Sequence, residues 1–342
     1  MDERPVVTVL EPDDEYPHEP DDAPNYNESM YLNGFDAAQE VGGWFRLGNR
    51  VNEGYAEMSV CIYLPGGRVG FMYARPEIST NTEMAAGGLR IDVVEPFEHL
   101  RVTYDGTVCR LDDPREMADP RRAFTTNPME SCSVALDFRG VSPMYGGKPV
   151  YDDGTEIPVD PEKSFAKAHY EQHGAVTGTI RVGEEVIDLD GLGLRDKSWG
   201  PRFWQSVRWY RWLPMVFGPD FAMMISLIGG DEGEPRQGGM VLTGGEYSLI
   251  RECSVESDWD GDRYQAAMRC WARTDDADYE VTGEVISLIP LRNRRTTPDG
   301  EQLVTRITEA MTRFRCDGRE GIGMSEYLDQ VVDGRPVGPD VG

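Results

Sequence analysis

The chain of 342 residues is short of three things: long hydrophobic runs, paired cysteines and positive charge. No window approaches the roughly 18 consecutive apolar residues that cross a bilayer as a helix. The N-terminus also lacks the basic start and the apolar run of a secretory signal peptide. We therefore predict a protein without a membrane span that is located in the cytoplasm.

The cysteines are scattered, which argues against a disulfide framework or a zinc site. No two of them form a C-x-x-C pair. Buried free thiols are therefore expected at all six positions, which are Cys61, Cys109, Cys132, Cys253, Cys270 and Cys316.

Positive charge is scarce, since 34 lysines and arginines face 61 aspartates and glutamates, for a formal net charge of −27. A protein binds nucleic-acid phosphates by bringing cations that displace counterions, so this balance excludes nucleic acid as a partner. Part of the acidic excess lies in the proline-broken stretch Glu11–Pro24, which cannot bury enough apolar surface to fold alone. We assign residues 1–28 to an acidic, proline-rich arm that is solvated or lies as a strap across the surface.

The common cofactor and nucleophile motifs are missing too. The chain has no phosphate loop and no G-x-S-x-G elbow, and Asp196 stands where a dinucleotide fingerprint needs its third glycine. His169, Glu171 and His173 alternate along a predicted strand and share one face. Three ligands on one flat strand rarely converge on an ion. We therefore predict a polar patch at a barrel mouth, with neither a metal nor a cofactor.

Short strand patterns fill the chain from Gly42 onward. Segments such as Tyr55–Leu64 alternate apolar and polar residues, and turn signals separate them. Tyr170–Val182 and Val186–Leu194 are expected to form a hairpin around Gly183. The pattern predicts a mainly β fold of two antiparallel barrels or barrel-like sandwiches joined near residue 199, with domains at 29–197 and 198–342.

Helical patterns are short, and are predicted only at 113–117 and 161–168. A closed barrel of about eight strands leaves room for one small apolar ligand. The oligomeric state is left open by the sequence, a homodimer being one alternative.

The segment from Gly191 to Trp212 has the composition of a binding site. Asp196 is the only carboxylate between Gly191 and Pro219, and the segment holds four of the chain's seven tryptophans, which are Trp199, Trp204, Trp209 and Trp212. An acid among aromatic rings can protonate an apolar ligand and stabilise the resulting cation. Two interpretations of Asp196 stay open: a protonated acid against tryptophan, or a structural ion pair with Arg195, Lys197 or Arg202.

Two further groups of residues are candidates for the same site. Glu171 is a second candidate acid or base, and His169 or His173 a proton relay. We expect the ligand to be bound by Trp44, Tyr170, Trp199, Trp204, Trp209 and Arg202. Glu326-Tyr327 forms a third small constellation without an assigned role.

The glycine-rich D-x-x-W-G pattern resembles a signature of the lipocalin-like hydroxyneurosporene synthase (carotenoid hydratase) and AttH superfamily, which includes kievitone hydratase and fungal Diels–Alderases. The pattern consists of Gly191, Gly193, Asp196, Trp199 and Gly200. The resemblance is strongest to a bacterial branch of that group. It implies two tandem lipocalin-like β-barrels with a ligand cavity near their junction, and cofactor-independent chemistry on isoprenoids.

The function predicted from these residues is a hydratase or dehydratase, a hydro-lyase, acting on an isoprenoid or prenylated apolar small molecule. Protonated Asp196, or failing that Glu171, would give a proton to an alkene. Tryptophan faces would stabilise the tertiary cation, and a water held by His169 or Tyr170 would capture it. The alternatives are an isomerase or cyclase of a polyene, and a non-catalytic carrier of an apolar ligand.

Overall fold

The computed structural model describes residues 4–230, 233–296 and 300–339, so the first residues of the predicted arm lie outside the described part. Within the described residues, twelve strands form one antiparallel sheet and ten form a second. The first sheet contains β1 (Val6–Val9), β2 (Tyr26–Asp36), β3 (Val41–Arg50), β4 (Tyr55–Tyr63), β5 (Val69–Ala74), β6 (Ala85–Ala86), β7 (Leu89–Glu95), β8 (His99–Leu111), β9 (Met129–Gly140), β10 (Tyr145–Tyr151), β11 (Ala168–Val182) and β12 (Glu185–Pro201). The second contains β13 (Trp209–Gly218), β14 (Phe221–Gly229), β15 (Arg236–Thr243), β16 (Glu246–Leu249), β17 (Glu252–Trp259), β18 (Gln265–Arg273), β19 (Asp278–Thr296), β20 (Gln302–Cys316), β21 (Arg319–Val332) and β22 (Arg335–Pro336). The predicted mainly β class is confirmed.

The first sheet is ring-like. Hydrogen-bonded pairs run from β8 through β9, β11, β12, β2, β3, β4 and β5, and β5 pairs with β8 again. Apolar residues that alternate along these strands point inward and pack together, among them Leu47, Val60, Val102 and Ile180. This core occupies the interior of the ring, so the interior is not the ligand space expected of a barrel.

The second sheet runs in the order β16-β15-β14-β13-β21-β20-β19-β18-β17. One of its faces carries its own apolar core, which includes Met223, Val241 and Phe314. The opposite face packs against the outside of the ring.

A third apolar cluster joins the two sheets. Trp44, Tyr63 and Phe71 of the ring pack with Met311 and Met324 of the second sheet. The Tyr63 hydroxyl donates to the backbone oxygen of Glu309 over 3.0 Å. The two sheets therefore share a continuous buried contact, and the candidate site lies beside it.

Helical structure is short. The α-helix α1 (Pro120–Thr126) begins after Asp119, whose side chain accepts from the backbone N–H of Arg122. A 3-10 turn at Pro114–Ala118 lies where the sequence predicts a helix at 113–117. The helix predicted at 161–168 is wrong, because that segment forms turns and then enters β11. No helix among the described residues is long and apolar enough to cross a membrane.

Strand β12 continues further than the sequence predicted. The hairpin around Gly183 is confirmed, but its second strand extends to Pro201 and includes Asp196. The glycines permit this because β2 lies very close, and a Cβ added at Gly193 would stand 1.9 Å from the backbone oxygen of Asn33. Asp196 therefore lies on a rigid strand rather than in a loop.

The N-terminal residues lie against the ring. β1 pairs with β10, and a 3-10 turn at Pro12–Glu15 inserts a fully buried Glu15 between Arg195 and Tyr170. All six cysteines, which lie within the described part of the chain, are buried and free, as predicted.

Candidate active site

The ring provides one wall of the site from residues that lie in one row across its strands. Direct cross-strand pairing aligns Glu171 of β11, Asp196 of β12, Tyr31 of β2 and Arg46 of β3. Because side chains alternate along a strand, these residues share the face that looks toward the second sheet. The pairing pattern therefore brings together groups that are far apart in sequence.

The second sheet provides the opposite wall by the same principle. Trp212 of β13 pairs with Glu326 of β21, and Glu326 pairs with Glu309 of β20. The Trp212 Nε1–H donates to Glu171 Oε1 over 2.7 Å. This hydrogen bond links the two walls.

Between the walls lies a cavity of about 840 Å³. Its lining includes aromatic rings from both sheets and from the segments between strands, namely Tyr31, Trp44, Phe71, Tyr73, Phe124, Tyr145, Phe165, Trp204, Tyr210 and Trp212. Ionisable side chains line it as well, among them His169, Glu171, Asp196, Glu309 and Glu326. A mostly apolar cavity with a few convergent polar groups is typical of a small-molecule site.

Glu171 is the most perturbed acid of the ring wall. It is fully buried, and its Oε2 has no hydrogen-bond partner in the protein. Burial raises the pKa of Glu171 to about 7, and the negative charge of Asp196 adds to the rise, against the opposing effects of His169 and Trp212. A large fraction of Glu171 is therefore protonated near neutral pH.

His169 stands between the two carboxyl groups. Its Nε2 lies 3.7 Å from Glu171 Oε1 and 3.8 Å from Asp196 Oδ2. Burial lowers the pKa of His169, but the nearby Asp196 and Glu171 outweigh it and raise the net value. The three residues predicted as catalytic, Asp196, Glu171 and His169, therefore meet in one acid–base cluster.

A second acid pair lies on the opposite wall. Glu309 is buried and Glu326 is half-buried, they are directly opposite each other on β20 and β21, and the Tyr210 hydroxyl donates to Glu326 Oε1. Burial raises the pKa of both carboxyl groups, and the mutual repulsion of their charges raises that of Glu309 further. Two neighbouring carboxyl groups with raised pKa values can share a proton.

The structure answers the ion-pair interpretation of Asp196. Arg195 and Lys197 point to the other face of β12, where they pair with the buried Glu15 and Glu28. Asp196 has 22% of its side chain exposed and pairs with His169, while Arg202 lies near enough for the charge of Asp196 to raise its pKa. Arg195 and Lys197 therefore do not pair with Asp196, which faces the cavity.

The predicted ligand-binding residues divide into two groups. Trp44, Arg202 and Trp204 line the cavity. Tyr170 and Trp199 do not, because they lie on the opposite faces of their strands, where His18 stacks on Trp199 at 4.1 Å between ring centroids. Trp209 packs against the core of the second sheet. These three are therefore not placed to contact a ligand in this cavity.

Several lining residues were missed from the sequence. Glu309, Tyr210 and Arg46 were given no role, and Trp212 was noted only as part of the cluster. Glu326 was noted without one. Glu309 is a carboxylate at a position of β20 where an apolar, inward-facing residue is expected. A sequence can reveal such an exception, which is a signal of a functional site. Within the described residues, no group of three or more histidine, cysteine, aspartate or glutamate side chains is arranged to hold a metal ion.

A family model described as "Domain of unknown function (DUF7064)" matches residues 11–331. The chain belongs to this family. No curated protein matches this DUF7064 chain.

Solved structures share its fold. A putative AttH from Nitrosomonas europaea has a TM-score of 0.55 and 13% identity, over 94% of this chain and 97% of that one. CghA with Sch210972 has a TM-score of 0.54 and 11% identity, over 90% and 89%. Kievitone hydratase from Nectria haematococca has a TM-score of 0.51 and 7% identity, over 90% and 89%. The fold expected from the resemblance to the AttH superfamily is therefore the fold that this chain shares with these structures.

Proposed function

We propose that this DUF7064 protein is a cofactor-independent hydratase or dehydratase of an isoprenoid or prenylated apolar molecule. The observation that carries the proposal is a buried carboxyl group in an aromatic cavity, with its pKa raised to about 7 and one oxygen unpaired: Glu171. A carboxylic acid that stays protonated near neutrality can serve as a general acid. Glu171 therefore takes the role that the sequence analysis gave first to Asp196.

Hydration begins with Glu171 as the acid. The Glu171 O–H bond breaks, its proton adds to one alkene carbon, and the other carbon becomes a tertiary cation. Aromatic faces such as those of Trp44 and Trp204 stabilise this cation. A water oxygen bonds to the cation and gives a proton to Asp196, which His169 pairs with. Transfer of a proton from Asp196 to Glu171 through solvent restores the site, and the reverse sequence dehydrates a tertiary alcohol.

The second candidate is an isomerase or cyclase of a polyene. It is favoured by the position of the Glu309–Glu326 pair on the wall opposite Glu171. One wall can give a proton and the other accept one without any water being added. The likeness to kievitone hydratase, at 7% identity, concerns the fold, so the choice depends on the site residues.

The test is native mass spectrometry with prenylated and terpenoid alkenes and tertiary alcohols, followed for a change of one water in the recovered ligand. The wild-type protein should retain a ligand and change its mass by one water. Glu171→Gln should lower the rate by about 100-fold or more, because it removes the acid, while ligand retention persists.

The matched control is Glu256→Gln, whose side chain is 69% exposed on the second sheet. It should react at the wild-type rate. Rearranged ligand of unchanged mass would support the isomerase or cyclase instead. A ligand that every variant returns unaltered would make the protein a carrier.

A further inference from the structure

Arg202 is a buried cation without an acidic partner. It is 7% exposed, its Nη2 donates to the Ser198 Oγ over 2.7 Å, and its Nε has no partner in the protein. The ion pairs of the described residues do not include it. An unpaired buried charge is strongly unfavourable, so a residue of this kind in a cavity wall indicates a missing anion.

Two more arginines, Arg46 and Arg50, lie near Arg202. Arg46 pairs with Glu57 over 3.3 Å, and Arg50 pairs with Glu53. One nitrogen of each of these two arginines, Nη2 of Arg46 and Nη1 of Arg50, is buried without a partner. Arg50 and Arg202 are buried and Arg46 is 15% exposed, and each of the three has a side-chain nitrogen that no group in the protein accepts from. Arg75 also contacts Glu57 but is half exposed, so water screens its charge.

The geometry holds these cations in place. The guanidinium carbons of Arg46 and Arg202 lie 5.6 Å and 5.3 Å from the Trp204 ring centroid, and that of Arg202 lies 4.3 Å from the Phe165 centroid. Burial lowers the pKa of Arg202 to about 10, and the charge of Arg46 lowers it further, while the charge of Asp196, which lies beyond ion-pair distance, acts in the opposite direction. Arg202 still carries its charge at neutral pH, and the like-charge repulsion is relieved if an anion binds.

The cationic corner lies at one end of the row that contains Glu171. Arg46, Tyr31, Asp196 and Glu171 stand on four adjacent strands. Three strand spacings separate the two ends by about 14 Å. A ligand that reaches both ends is elongated, with its charged group and its reacting carbon well separated.

We infer that the Arg46–Arg202 corner binds the carboxylate of an apolar, elongated organic acid, and that this acid is the substrate class of the site. The identification as a substrate depends on the proposed function, whereas the anion site itself does not. The unpartnered N–H groups of Arg46 and Arg202 can donate to a carboxylate, and the nearby negative charge of Asp196 disfavours a phosphate dianion more than a carboxylate monoanion. Guanidinium groups pair with carboxylates through two parallel hydrogen bonds.

The experiment is calorimetric titration at pH 7.5 with four C15 probes: farnesoic acid, its methyl ester, farnesol and farnesyl phosphate. The wild-type protein should bind farnesoate about 10-fold or more tightly than the ester or the alcohol, as expected for a charge-assisted hydrogen bond. Arg202→Met should remove this preference and leave the affinity for the ester within about 2-fold. Arg202→Lys should keep part of the preference, and Arg46→Met should weaken it.

Arg269→Met is the control, because Arg269 is 71% exposed and away from the cavity lining. It should bind all four probes as the wild type does, and unchanged thermal unfolding would show that each variant is folded. Equal binding of acid and ester, absence of farnesoate binding, or a preference that survives in Arg202→Met would overturn the proposal. Tighter binding of farnesyl phosphate than of farnesoate would overturn the carboxylate assignment.

The design separates failure of the anion site from failure of the proposed reaction. Glu171→Gln should keep the preference for farnesoate while losing turnover. An acid preference without turnover of any acid would count against the hydratase and leave the anion site standing. Turnover of neutral alkenes only, with no preference for the acid, would count against the anion site and leave the hydratase standing.

Discussion

At the scale of single residues, the unusual feature of this protein is the number of carboxyl groups kept in an apolar cavity. Glu171 and Glu309 are buried, Glu326 is half-buried, and all three have raised pKa values. Each is more stable in the folded protein when protonated, because burial disfavours the charged form. The site thus stores protons at neutral pH at the expense of folding stability.

A pH dependence of stability follows for Glu171. Its pKa rises from 4.5 in the unfolded chain to about 7 in the folded protein. The folded state therefore binds the proton more tightly, and stability is lost as the pH rises from about 4.5 through 7. Glu171→Gln removes this loss, so its free energy of unfolding relative to wild type should increase between pH 5 and pH 8 by on the order of 3 kcal/mol.

Urea unfolding of both proteins at a series of pH values measures the difference. Glu309 and Glu326 titrate in both proteins, so their contributions cancel in the comparison. Glu256→Gln should show no pH-dependent difference from wild type. A constant difference between Glu171→Gln and wild type across this range would mean that Glu171 is not perturbed.

The residue types of the site were predictable, whereas their partners were not. Asp196, Glu171 and His169 were predicted from neighbouring sequence motifs, and β11 and β12 form one hairpin. Glu309 and Glu326 come more than a hundred residues later on a different sheet. A sequence does not state which distant strand lies opposite, so their place in the cavity was not predicted.

At the scale of elements, β11 and β12 work through their two faces. One face presents His169, Glu171 and Asp196 to the cavity. The other presents Arg195 and Lys197 to the N-terminal segment, where they meet Glu15 and Glu28. Burial of these ion pairs fixes the strands that carry the catalytic candidates.

Breaking the Glu15–Arg195 pair should therefore destabilise the protein. Glu15 is fully buried and Arg195 is 1% exposed. Glu15→Gln leaves the arginine charge buried without its counter-charge, which costs about 3–5 kcal/mol of unfolding free energy. Urea unfolding at pH 7 measures this loss.

An exposed pair provides the comparison. Arg251 and Asp275 are 53% and 68% exposed, so Asp275→Asn should leave the unfolding midpoint nearly unchanged. The double variant Glu15→Leu with Arg195→Met should be more stable than Glu15→Gln, since no charge remains buried. A loss in Glu15→Gln no larger than that of Asp275→Asn would show that the N-terminal segment contributes little.

At the scale of the whole molecule, the cavity exists because two sheets share a buried contact. The cluster that includes Trp44, Met311 and Met324 joins them. The division into domains at 29–197 and 198–342 stays a prediction, which the unfolding behaviour can test. If this contact couples the sheets, they should unfold together.

Phe314→Ala tests that coupling from the second sheet. Phe314 is fully buried in that sheet's own core, so its truncation should cost about 3–5 kcal/mol. We expect one transition, at a lower urea concentration, with coincident far-UV circular dichroism and tryptophan fluorescence. Phe45→Ala, in the core of the ring, should shift the same single transition. Two separated transitions in either variant would show that the sheets unfold independently.

The sequence by itself determined the local features of this protein. Alternation and turn residues predicted the β class and the Gly183 hairpin, scattered cysteines predicted free thiols, and the glycine-rich segment around Asp196 marked the site. These features depend on neighbouring residues, whose spacing the sequence states directly.

Only the tertiary structure decided which face of each strand looks into the cavity and what stands across from it. Alternation shows that Trp199 and Asp196 lie on opposite faces, but not which face meets the second sheet. The tertiary structure places Trp199 under the N-terminal segment, and it places Trp212, Glu309 and Glu326 opposite Glu171. The physical reason is that such contacts depend on strand order and sheet packing, which no short stretch of sequence encodes.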